Sequence, residues 1–179
     1  MNLPNKLTIL RVIMVPVFLV FLMVPDIPAG NWIALAVFII ASVTDLFDGK
    51  IARKYNLVTD FGKFMDPLAD KLLVCSAMIA LIELDKIPAW VVIVIIAREF
   101  IISGFRLVAS DNGVVIAASW WGKIKTTVTM IMIGFLVADL DVDFINVLEQ
   151  ILIYASLVLT VVSLIDYIWK NKSVLSLSK

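Results

Sequence analysis

From residue 7 to residue 168 this chain is a succession of apolar stretches broken by short polar turns. Each stretch is about as long as a bilayer is thick. A membrane helix needs roughly 20 apolar residues, so six would use about 120 positions. The chain has 179, which leaves enough for ends and connections. The composition agrees: 62% of residues are hydrophobic, 17% are charged, and mean hydropathy is +1.05. A soluble domain runs about 45–50% apolar and 25% charged. An ordinary soluble globule and a disordered chain are excluded. So is a disulfide scaffold, because Cys75 is the only cysteine. The chain has no histidine, which removes Ser-His triads, histidine bases and His-ligated zinc.

The pattern predicts an all-α integral membrane protein with helices at 7–24, 32–54, 64–83, 88–108, 120–138 and 144–168. The breaks carry turn residues such as Pro25, Pro28, Gly30, Asn112 and Gly113. No repeat, linker or low-complexity tract interrupts residues 1–179, so a single domain is expected. Segment 7–24 is too long and lacks the small-residue cleavage pattern of a removable signal. With six spans, one set of alternate breaks holds a single basic residue, Lys86, beside Asp26, Glu83, Asp85, Asp139, Asp141 and Asp143. The other side holds Lys6, Arg11, Lys50, Arg53, Lys54, Lys63, Lys123, Lys125, Lys170, Lys172 and Lys179. The positive-inside rule then puts both termini in the cytoplasm. Trp32 and Trp90 fit the outer interface, and Trp120, Trp121 and Trp169 the inner one.

Four carboxylates interrupt the apolar helices. Asp45 and Asp48 are three apart and Asp66 and Asp70 four apart, so each pair shares a helix face. One pair closes the second helix and the other opens the third, across a short loop. All four are thereby expected to converge at one depth. A single Asp at mid-membrane costs about 2.5–3.5 kcal/mol, and convergence adds repulsion, so cations must compensate. Hard divalent ions such as Mg²⁺ or Mn²⁺ prefer carboxylate oxygen. Two ions about 3.5–4 Å apart suit displacement at phosphorus. The alternative is helix-end ion pairing with Arg53, Lys54, Lys63 or Lys71. Asp60 reads as a solvated loop residue.

Other residues carry paired readings. Gly49 and Ala52 leave room for a nucleotide or phosphate, or serve close helix packing. Arg53 meets a pyrophosphate oxygen, or snorkels to the interface. Asn5, Thr8 and Arg11 follow one another at three-residue steps along one helical face. Asn5 also reads as an N-cap, and Arg11 as a cytoplasmic anchor.

Residues 45–70 read Asp45-x2-Asp48-Gly49-x2-Ala52-Arg53-x8-Gly62-x3-Asp66-x3-Asp70, with eight fixed positions. This resembles the signature of the CDP-alcohol phosphatidyltransferase family. The six-span pattern also resembles that family over essentially the whole chain. The resemblance implies transfer of a phosphatidyl group from CDP-diacylglycerol to an alcohol, with release of CMP. It implies metal held by Asp45, Asp48, Asp66 and Asp70, with Asp70 as general base. It implies CDP-diacylglycerol held by Asn5, Thr8, Arg11, Asp48, Gly49, Ala52 and Arg53. It also implies a homodimer in membrane lipid. The charge pattern puts the site on the cytoplasmic side, a bacterial cytoplasmic membrane is expected, and no nucleic-acid partner is expected.

Downstream cations bear on the acceptor. Arg98, Glu99 and Arg106 lie in the fourth helix, where Glu99 and Arg106, seven apart, are expected to support one another. Lys123 and Lys125 lie about 200° apart on an ideal wheel, so only one can face a pocket, and Lys125 is expected inward. Intramembrane Arg98, Arg106 and Lys125 suggest docking of an anionic acceptor, with Arg106 and Lys125 best placed and Arg98 next, against snorkelling or ion pairing between helices. The Arg98-Glu99 and Gly122-Lys123-x-Lys125-Thr126 stretches resemble the glycerol-phosphate-using branch of the family. That branch implies sn-glycerol 3-phosphate as acceptor and phosphatidylglycerophosphate as product. The rivals are another acceptor (inositol phosphate, serine or phosphatidylglycerol), a cation transporter with an acidic site, and a membrane scaffold.

Overall fold

The computed structural model describes residues 2–54, 60–111, 113, 114, 116, 117 and 119–172. Side chains are described for all of these except residues 3, 4, 45–54, 60–64, 66, 67 and 111. The described chain is six helices: α1 Leu3–Met23, α2 Gly30–Lys54, α3 Asp60–Glu83, α4 Ala89–Asp111, α5 Trp120–Ala138 and α6 Asp143–Lys170. Among the described residues there is no strand.

α1 and α3 begin four residues before their expected segments. α1 starts at Leu3 because Asn2 caps it: the Asn5 N–H donates to Asn2 Oδ1 at 3.2 Å, and a proline in the first turn suits a helix start. The N-cap reading of Asn5 is therefore corrected. It lies inside the helix and is buried. α3 starts at Asp60, so this residue opens a helix instead of sitting in the loop where it was expected.

Two compact units are present. The first comprises Met1–Lys86 with Ile133–Leu140, the second Ile87–Met132 with Asp141–Lys179. In the first, α1 packs on α2 and α3. Its buried stripe runs Asn5, Thr8, Arg11, Val15, Phe18 and Leu22, at steps of three and four. Phe18 meets Phe38 of α2 with ring centroids 5.9 Å apart. The buried stripe of α2 is Ala34, Phe38 and Ala41, and that of α3 includes Ala69, Leu73, Ala77 and Ala80. At the far end of this unit Lys86 pairs with Asp139. Both neighbouring turns use left-handed backbone at aspartates, Asp85 (φ 56°) and Asp139 (φ 49°), a conformation Asp tolerates better than most residues. The one basic residue of that set of breaks is thus held by the acidic set.

In the second unit α4 packs on α6. The α4 stripe is Val91, Ile95, Arg98, Ile102 and Ala109, and the α6 stripe is Ile153, Ser156, Thr160, Ser163 and Tyr167. Small hydroxyl residues at such positions let helices approach closely. Thr160 Oγ1 donates to the Ser156 carbonyl at 2.7 Å, which satisfies that hydroxyl within its own helix.

α1 over Asn5–Met23, α5 and α6 are long and apolar enough to cross a membrane, with a shorter apolar run at Gly30–Thr44. Ile13, Val20, Ile93, Val158 and Ile165 are exposed on their helices, as lipid-facing side chains would be. All five tryptophans lie at helix ends and are exposed, where interfacial belts form. This is a membrane protein.

Candidate active site

The first unit presents the nucleotide-side candidates. Asn5, Thr8 and Arg11 occupy the same buried face of α1 as the apolar core below them. Each is engaged by neighbours. Arg11 is 1% exposed, so its side chain lies among the packed helices. A guanidinium is placed at a core position only where polar partners surround it.

The carboxylate positions continue the packing registers. On α2 the buried stripe 34, 38, 41 extends at steps of four and three to positions 45 and 48, and then to 52. On α3, position 66 lies three before buried Ala69, and Asp70 three before buried Leu73. α2 and α3 are helical through all four positions. Short connections between packed helices bring the end of α2, the beginning of α3 and the beginning of α1 to the same end of this unit. The side chains of Asp45, Asp48, Gly49, Ala52, Arg53 and Asp66 lie outside the described residues. Asp70 is described: it is half-buried and engaged by a neighbour. Among the described residues no three His, Cys, Asp or Glu side chains form a cluster. All-oxygen positions in one register on two packed helices fit Mg²⁺ or Mn²⁺ by donor chemistry.

The second unit holds the cations. Arg98 Nη1 donates to Glu99 Oε1 at 2.9 Å, and Lys125 Nζ donates to the same oxygen at 2.7 Å. Arg98 is 7% exposed and Lys125 2%, against 18% for the Glu99 side chain. Lys125 lies on the buried stripe of α5 with Thr129 and Met132, whereas Lys123 is exposed. The 200° separation required only that one of them face inward, and the packing of α5 selects Lys125.

Arg98 also lies against the first turn of α5. Ser119 caps that helix, its Oγ accepting from the Gly122 N–H at 3.1 Å. A Cβ placed on Gly122 would stand 3.3 Å from Arg98 Nη2 and 3.3 Å from Ser119 Oγ. Glycine is what lets the guanidinium come this close. A helix N-terminus carries positive potential, so a guanidinium beside it makes a place that favours an anion. Arg98 Nε is buried with no hydrogen-bond partner among the described residues, an unused donor on the same side chain.

Arg106 departs from expectation. It is exposed, with its guanidinium 5.7 Å from the centroid of the Tyr167 ring, and Tyr167 in turn meets Phe105 edge-on at 5.8 Å. Arg106 and Glu99 therefore do not form the supporting pair expected of them: Glu99 serves Arg98 and Lys125. The structure gathers Arg98 and Lys125 and leaves Arg106 apart. Sequence reasoning missed Glu99 as their shared acceptor. The available signal was an acidic residue directly beside an arginine inside an apolar helix.

Residues 1–162 match the CDP-alcohol phosphatidyltransferase family. The chain belongs to that family. It is 43% identical over 190 aligned residues to the CDP-diacylglycerol–glycerol-3-phosphate 3-phosphatidyltransferase of Bacillus subtilis (strain 168), covering 99% of this chain and 98% of that protein. It is 43% identical to the probable phosphatidylglycerophosphate synthase of Mycobacterium tuberculosis, over 93% of this chain and 80% of the relative. The CDP-diacylglycerol–glycerol-3-phosphate 3-phosphatidyltransferase of Haemophilus influenzae is 39% identical, over 93% and 91%. As a phosphatidyltransferase-family member, the chain has its matched region running through both compact units.

Proposed function

We propose that this enzyme transfers the phosphatidyl group of CDP-diacylglycerol to sn-glycerol 3-phosphate, giving phosphatidylglycerophosphate and CMP. The observation that carries this reading is the near end-to-end match to a relative whose name states both substrates. The buried Arg98 and Lys125 add cations suited to an acceptor phosphate.

In this reading Asp45, Asp48, Asp66 and Asp70 would hold two Mg²⁺ or Mn²⁺ ions. Metal held by these carboxylates would supply positive charge against the CDP-diacylglycerol pyrophosphate and the departing CMP. Asn5, Thr8, Arg11, Asp48, Gly49, Ala52 and Arg53 hold the lipid nucleotide. Asp70 takes the proton of the primary hydroxyl as its oxygen attacks the lipid-linked phosphorus, and the bond from phosphorus to CMP breaks. A carboxylate is a weak base, tolerable where the transition state is loose and needs little early deprotonation. Arg98 and Lys125 take the acceptor phosphate, the first as a fork and the second as a point charge. Arg106, exposed on α4 over Tyr167, stands apart from that pair. Six spans, cytoplasmic termini and site, a bacterial cytoplasmic membrane and a homodimer complete the proposal. The charge pattern and the exposed helix-end tryptophans support the topology.

The test is CMP release by the purified enzyme with glycerol 3-phosphate, inositol phosphate, serine or phosphatidylglycerol, with and without EDTA. Turnover with glycerol 3-phosphate alone, abolished by EDTA and restored by Mg²⁺ or Mn²⁺, is expected. Preference for an uncharged alcohol would overturn the acceptor assignment, and full activity in excess chelator the metal.

A further inference from the structure

We propose that Glu99 is a positioning residue for the acceptor: one carboxylate oxygen holds Arg98 of α4 and Lys125 of α5 at a common point, so that both reach a single phosphate. This deepens, and rests on, the reading that these two cations bind the phosphate of glycerol 3-phosphate.

Adjacent helical residues point about 100° apart and do not ordinarily face each other. Arg98 nevertheless bends to its own neighbour, and Lys125 arrives at the same oxygen from another helix. A lysine stem is long and flexible, so a buried ammonium without an anchor has no fixed position. Burying two cations without a counter-charge is also costly. Glu99 answers both problems. The distances of 2.9 and 2.7 Å to one atom keep the two donor nitrogens close enough for a single anion to contact both. Glu99 is more exposed than either cation. Its backbone is held as well: Ser103 Oγ donates to the Glu99 carbonyl at 2.6 Å. On its other side the Arg98 guanidinium lies close to Gly122.

The experiment is a pair of saturation curves, one for glycerol 3-phosphate and one for CDP-diacylglycerol, on the purified full-length enzyme. The variants are Glu99→Gln, Glu99→Asp, Arg98→Ala, Lys125→Ala and Glu99→Gln combined with Lys125→Ala. Glu99→Gln should raise the glycerol 3-phosphate KM about tenfold, one 1.4 kcal/mol step, and leave the CDP-diacylglycerol KM within about twofold. Glu99→Asp keeps the charge and should lose less. In the Lys125→Ala background Glu99→Gln should add less than about threefold, because residues acting through one another are not additive. Suppose Arg98→Ala and Lys125→Ala raise the acceptor KM while Glu99→Gln leaves it unchanged, lowers it, or moves both KM values together. The positioning role is then overturned and the acceptor reading stands. If Arg98→Ala and Lys125→Ala leave the acceptor curve unmoved, the acceptor reading falls first. Should Glu99→Gln fail to accumulate, Glu99→Asp decides: a selective rise in acceptor KM supports the role, and none overturns it.

Discussion

Gly122→Ala tests the acceptor site without touching a charged group. The added Cβ would stand 3.3 Å from Arg98 Nη2 and from Ser119 Oγ, tighter than ordinary carbon contacts. Arg98 must shift by a few tenths of an ångström, and its 2.9 Å bond to Glu99 leaves little slack. A hydrogen bond to a charged group is worth about 1.5–3 kcal/mol. A small displacement weakens such a bond without abolishing it. Losing about half gives roughly 0.7–1.5 kcal/mol, or about 3- to 13-fold in the glycerol 3-phosphate KM. Stability should move the other way or not at all, since Ala is favoured over Gly inside helices by about 0.5–1 kcal/mol. The strained Ser119 cap offsets part of that gain. The assay is acceptor saturation at fixed CDP-diacylglycerol, with a thermal unfolding scan in the same detergent. An unchanged acceptor KM in a variant of equal or higher Tm would refute the claim that Arg98 beside Gly122 touches the acceptor. A parallel rise in both KM values would mean that the substitution disturbs the fold and not one subsite.

Two further outcomes are expected. Asp70→Asn should lose turnover by about 10²- to 10⁴-fold, the usual loss with a general base, while CDP-diacylglycerol binding survives in equilibrium lipid-binding measurements; recovery with excess metal would make Asp70 a ligand only. Arg11→Ala and Arg53→Ala should raise the CDP-diacylglycerol KM far more than the acceptor KM in paired saturation curves, and an acceptor-selective effect would reverse their assignment.

Much of this protein is legible in its sequence because membrane helices are local objects. Apolar length sets where they run, and all six observed helices fall on the expected segments. Helical phase also decides which side of its own helix a residue occupies. It put Lys123 and Lys125 on opposite sides of α5, and it set Asn5, Thr8 and Arg11 on one face. Phase cannot say what stands opposite that face. Of the two arginines on one apolar helix, the sequence favoured Arg106 over Arg98 for the acceptor. Packing reversed that order, with Arg98 beside α5 at Gly122 and Arg106 over Tyr167 of α6. Asn2, and not Asn5, caps α1, because a cap is chosen by where the backbone turns. The Glu99 bridge joins residues 26 positions apart. Spacing along one helix fixes angles about its own axis, whereas a shared hydrogen-bond acceptor depends on the distance between two axes, which only the packed structure sets.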